Sequence, residues 1–177
     1  MKNKMMTLAL IAFSSAAMAD SANTVQFKGE VSTQTCTVNI NGDEVRPVVL
    51  LRTVAASKLA TKGATAEETN FTVNVTGCTS AASDTRIKTV FAGNNATTNG
   101  NLGNTGDATK VSIQLLDSDG TTPLSFAAGS TTTTSAMTLA TGATSTSQEL
   151  TARYYAEEAG VTAGSVNATA QFAITYK

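Results

Sequence analysis

Histidine and tryptophan are missing from the 177 residues, and proline and cysteine occur only twice each. Without histidine, a Ser-His-Asp or Cys-His catalytic arrangement cannot be assembled. Two cysteines with no histidine fall short of the four ligands that structural zinc takes. Aromatic residues make up 5% of the chain, and with no tryptophan among them a broad stacking platform for sugars is poorly supplied. Charged residues are scarce at 14%, and a net charge of −1 gives no electrostatic footing for nucleic acid or an anionic membrane. The glycine-rich stretch Gly100 to Gly106 has neither the lysine nor the helix start of a phosphate loop. Asp117-Ser-Asp119-Gly120 lacks the distal glutamate of a calcium loop and reads as a hairpin turn. Glu157 and Glu158 are adjacent, so in a strand they point to opposite faces and are expected to be solvated charges and not a paired acid and base. No enzyme, metal site or cofactor emerges.

What is present begins with a leader. Met1 to Ala19 reads MKNKMMTLALIAFSSAAMA, with two lysines, an apolar run and a closing Ala-Met-Ala. That is the pattern of a cleaved secretory signal, and the run is far short of the ~20 residues a bilayer core needs. Removing the first 19 of the 177 residues leaves 158, one domain's worth, and losing Lys2 and Lys4 takes the net charge from −1 to −3. In the oxidising compartment that export implies, the isolated pair Cys36 and Cys78 is expected to be bonded.

Threonine, alanine, glycine, serine and asparagine dominate the rest, a composition of strands and turns with a hydroxyl-rich surface. Val25, Phe27, Gly29 and Val31 lie on one alternating face of an extended stretch from Thr24 to Ile40, and Glu44 to Leu51 is a second extended stretch. The segment Thr53 to Thr69 has room for a short helical turn around Val54, Leu59 and Ala60, ended by Gly63. Phe71 to Cys78, Arg86 to Phe91, Lys110 to Leu116 and Ser147 to Ala156 read as strands, the third with Val111, Ile113 and Leu115 inward. Between them, Gly93 to Asp107 shows no pattern that could bury a face and is expected to be a loop, and Ser130 to Ser135 a threonine-rich connection. About seven strands with turn signals and no long helix make an all-β sandwich.

The last thirteen residues, SVNATAQFAITYK, alternate most regularly of all. Val166, Ala168, Ala170, Phe172, Ile174 and Tyr176 are apolar and their neighbours mostly polar. With the leader, the alternating arm NTVQFKGEV (Asn23 to Val31), the two cysteines, Gly164 fourteenth from the end and a penultimate aromatic, the chain resembles the type 1-like pilins of the chaperone–usher pathway. Asn99 to Gly120 is most similar to major subunits of the branch that includes uroepithelial cell adhesin fimbriae.

The resemblance implies an incomplete immunoglobulin-like β-sandwich lacking its final strand and completed by donor-strand complementation. It divides the chain into a signal peptide (1–19), an N-terminal donor-strand extension (20–31) and a pilin domain (32–177). Val25, Phe27, Gly29 and Val31 become the donor face. Val166, Ala168, Ala170, Phe172, Ile174 and Tyr176 line the acceptor groove, Gly164 marks where that strand starts, and Cys36 and Cys78 form the family disulfide. The implied partners are neighbouring copies and other pilins, a periplasmic chaperone and an outer-membrane usher. The implied destination is a fimbrium on the cell surface, reached through the periplasm. A minor adaptor pilin and, from a different class, a secreted carbohydrate-binding β-sandwich are the competing readings.

Overall fold

The computed structural model describes residues 34–176 together with Gly29, Val31 and Ser32. The chain divides into two units between residues 30 and 31, and the fold below is that of the second. Val25 and Phe27 lie outside the described residues; Gly29 and Val31 are exposed.

Nine strands are present among the described residues: β1 (Thr37–Ile40), β2 (Thr65–Thr76), β3 (Thr85–Gly93), β4 (Leu102–Gly103), β5 (Val111–Leu116), β6 (Thr131–Thr133), β7 (Met137–Leu139), β8 (Thr146–Ala156) and β9 (Ala170–Tyr176). One antiparallel sheet has the order β1-β2-β8-β5-β4. In the other, β3 is flanked on one edge by β6 and then β7, and on the opposite edge by β9. The single helical element among the described residues is a 3-10 turn at Ala56–Leu59. Gly63 follows it at φ +81°, a conformation that glycine adopts without strain.

The period of two decides which side chains fill the space between the sheets. Phe71, Val73 and Val75 of β2, Leu150 and Ala152 of β8, and Ile113 and Leu115 of β5 face Ile87 and Phe91 of β3 and Met137 and Leu139 of β7 in one buried cluster. At about 1.5–3 kcal/mol for each large side chain fully buried, this cluster is what holds the two sheets together. A smaller cluster of Leu59, Ala108, Val111 and Ala156 sits apart from it, capped by Val54, Tyr154, Val161 and Val166.

Three expectations need correction. The stretch Gly93 to Asp107 is not a free loop. It contains β4, and Asn101 and Leu102 are buried at 1% and 5% exposure. A two-residue strand is too short for alternation to reveal. The threonine-rich connection holds β6, and β7 follows it; both are only three residues long, because Thr134 interrupts their shared edge by donating its own N–H to Thr89 O and accepting the Thr89 N–H on Oγ1. Finally, Ser112 and Gln114 of β5 are buried although they face away from the core. The polar cover that buries them is described next.

Candidate functional site

The C-terminal segment is an edge with two different halves. Its second half, β9, pairs with β3 from Ile87↔Tyr176 to Gly93↔Ala170. The same register continues one step further, where Asn94 N–H donates to Thr169 O at 3.4 Å. Odd-numbered residues therefore turn their main-chain groups toward β3. In the first half no strand lies alongside among the described residues. Instead Thr105 N–H donates to Asn167 O (2.8 Å), Ala108 N–H to Ser165 O (3.0 Å), and Asn167 N–H to Asn104 Oδ1 (2.7 Å).

The even-numbered residues do two things at once. Their side chains, those of Val166, Ala168, Ala170, Phe172, Ile174 and Tyr176, pack against the main core yet are only half-buried. Their main-chain groups face away from β3, and among the described residues no hydrogen bond reaches the amide or carbonyl of Val166 or Ala168. A row of partly covered apolar side chains thus coincides, at Val166 and Ala168, with backbone groups that have no hydrogen bond among the described residues.

Segment 47–54 reaches the start of this edge with Thr53 and Val54, which border the same cavity as Ser165 and Val166. Val49 and Leu51 pack half-buried on the main core, while Val48 and Leu50 are 78% and 84% exposed. Among the described residues this segment pairs with no strand. The terminal edge meets a different part of the chain at each end. At one end Cys36 N–H donates to Tyr176 Oη (3.2 Å), beside the disulfide that joins Cys36 to Cys78. At the other, Thr53 and Val54 meet Ser165 and Val166 around a cavity of about 310 Å³ floored by Leu59, Ala108, Val111 and Tyr154.

Gly164 stands at that second end for a reason of space. A Cβ there would lie 2.5 Å from Ala108 N and 2.8 Å from the Asp107 carbonyl carbon. Only glycine lets the chain pass that close to the β4–β5 connection.

Glu157 is the residue that sequence reasoning misjudged. It is partly buried and fully engaged: its Oε1 accepts from Thr97 Oγ1 (2.9 Å), Asn101 Nδ2 (3.0 Å) and Ser112 Oγ (2.5 Å), and its Oε2 accepts from Asn99 Nδ2. Burial pushes its pKa up, and the bonds from Ser112, Asn101, Asn99 and Thr97 more than offset this, so the carboxyl sits below the usual glutamate range. The network runs on across the outer face of the sheet. Gln114 Nε2 donates to Asn101 Oδ1, Arg153 donates through Nε and Nη2 to Gln114 Oε1, and Arg153 Nη1 pairs with Glu68. Glu158, its neighbour, is the exposed one, 3.8 Å from Lys110 Nζ. The available signal was the density of hydroxyl and amide donors between residues 94 and 105, which have to donate to something.

Comparisons with known proteins identify the family of the chain. A family model described as "Fimbrial protein" matches residues 25–177. The type-1 fimbrial protein subunit of Serratia marcescens is 33% identical over the full length of both chains. The S-fimbrial protein subunit SfaA of Escherichia coli is 35% identical over 66% of this chain, and the match spans 65% of that relative. A subunit in the structure of a chaperone–usher pilus superposes with a TM-score of 0.60 at 21% identity, covering 92% of this chain and all of the other.

Proposed function

We infer that this chain, which belongs to the fimbrial protein family, is a structural subunit that polymerises head-to-tail by donor-strand exchange, serving as the major pilin of an adhesive fimbria. One observation carries the reading: the even-numbered residues from Val166 to Ile174 offer half-buried side chains and outward-turned main-chain groups along the same line. A strand with alternating apolar residues satisfies both at once. The arm of a second copy has that form, with Val25, Phe27 and Val31 on one face and Gly29 between them.

Seating those side chains contributes roughly 1.5–3 kcal/mol for each one fully buried. Each main-chain hydrogen bond adds about 1 kcal/mol net. Because arm and groove are different surfaces, the contact repeats without closing and builds a filament. Until the arm of the next copy arrives, a periplasmic chaperone covers the edge and an outer-membrane usher directs the exchange; the product is displayed on the cell surface. A minor adaptor pilin would share the groove and differ only in abundance.

The test is direct. The subunit is purified with its chaperone, a synthetic peptide spanning Asp20 to Val31 is added, and chaperone displacement is followed. The wild-type peptide is expected to exchange, and a Phe27→Asp peptide to fail. Equal exchange by both peptides would show that the donor face is assigned wrongly.

A further inference from the structure

The terminal edge is only as well placed as what lies beside it, and its two halves differ in this. β3 ends at Gly93, opposite Ala170, and Asn94 holds Thr169, so residues 165–168 have no strand beside them among the described residues. They hang on the β4–β5 connection, through the bonds of Thr105, Ala108 and Asn104 to Asn167 and Ser165. That connection springs from β4, which contributes only the pairs Leu102↔Ile113 and Gly103↔Ser112. So short a ladder is marginal by itself.

We propose that Glu157 is the positioning residue for the first half of the acceptor edge: its carboxylate clamps the stretch before β4 onto β5, and so fixes the connection that holds residues 165–168 in reach of a donor strand. The carboxylate is placed for this. It is the first group beyond β8, and it receives Thr97, Asn99 and Asn101 from one side of β4 and Ser112 from the strand that β4 pairs with. Four donors from two segments converge on one side chain. None of them touches the donor groove itself, so the effect is transmitted through the connection. The proposal rests on the donor-strand reading given above.

The experiment measures amide hydrogen exchange on the full chain with and without the Asp20 to Val31 peptide, together with the peptide's dissociation rate. A hydrogen bond to a charged group is worth enough that losing this clamp should speed dissociation from Glu157→Ala by about 10- to 100-fold. Protection at the amides of Thr105, Ala108 and Asn167 should fall by a similar factor, while amides of β2, β8 and β9 stay unchanged. Glu157→Gln, which keeps one carbonyl acceptor, should recover most of the loss, and Glu158→Gln should behave as wild type. Asn99 is exposed and donates only to Glu157 among the bonds described, so Asn99→Ala is the variant that folds in any case; it should speed dissociation by about three- to tenfold.

Wild-type rates in both Glu157→Ala and Asn99→Ala overturn the proposal. So does a loss of protection spread evenly over β2 and β8, which marks general destabilisation. Failure of the wild-type chain to take up the peptide is a different result, and it overturns the donor-strand reading beneath the proposal.

Discussion

Replacing Gly164 by alanine adds one methyl group, and the structure says where it goes. Its Cβ would lie 2.5 Å from Ala108 N, 2.8 Å from the Asp107 carbonyl carbon and 3.0 Å from Ala108 Cα. All three are main-chain atoms, so no side chain can swing aside. Favourable carbon contacts lie near 3.5–4.0 Å, and the two backbones must part by about 1 Å. Overpacking of this kind costs about 1–3 kcal/mol. The displacement also breaks the bond from Ala108 N–H to Ser165 O, worth about 1 kcal/mol. Together these give about 2–4 kcal/mol, or a Tm lowered by about 4–16 °C for a domain of this size. Thermal unfolding of the peptide-saturated chain measures the global effect, and exchange at the Ala108 amide reports the local one. A variant that melts within 1 °C of wild type and keeps Ala108 protected would refute the argument.

The disulfide closes a separation of 42 residues, and on the chain-entropy account its removal by Cys36→Ser with Cys78→Ser should cost about 4 kcal/mol in urea unfolding; a loss below about 1 kcal/mol would contradict that account. Glu157 has a folded-state pKa below its unfolded value, so the stability it contributes is fully present above the unfolded value and disappears as pH falls through the folded one. Urea midpoints of wild type should therefore drop more steeply than those of Glu157→Gln at pH values below the ordinary glutamate range, and parallel curves would contradict this. Phe172→Ala removes one of the two aromatic side chains of β9, which sits opposite Phe91 and is half-buried in the chain by itself. Its effect on peptide binding should exceed its effect on the stability of the uncomplemented chain, and a reversed order would show that Phe172 belongs to the closed core and not to the groove.

Wherever burial follows a period, the sequence was readable. The alternation at Phe71 to Val75 and at Ile113 to Leu115 marks core-facing residues directly, and the terminal segment shows its two faces even though no neighbour is evident from sequence. Cys36 and Cys78 pair as their compartment suggests. The unreadable parts were held by side-chain hydrogen bonds, which have no period. Leu102 is buried by a two-residue strand, and Asn101 by a carboxylate 56 positions away. Glu157 looked like surface because adjacent glutamates usually are, and nothing local reveals that donors from residues 97–112 converge on it. Gly164 was legible as a motif position, whereas its physical cause, the approach of Ala108, is not visible without coordinates.

Between Ser165 and Tyr176 there is no lysine, glutamate, arginine, aspartate or proline. Sheet proteins ordinarily guard a bare rim with just such residues, so that stray strands are turned away. On the donor-strand reading proposed above, such guards would be a handicap, because a rim that must admit a strand cannot carry charges that turn strands away. On that reading safety becomes a matter of timing: the molecule stays out of trouble only while something else is sitting in its place.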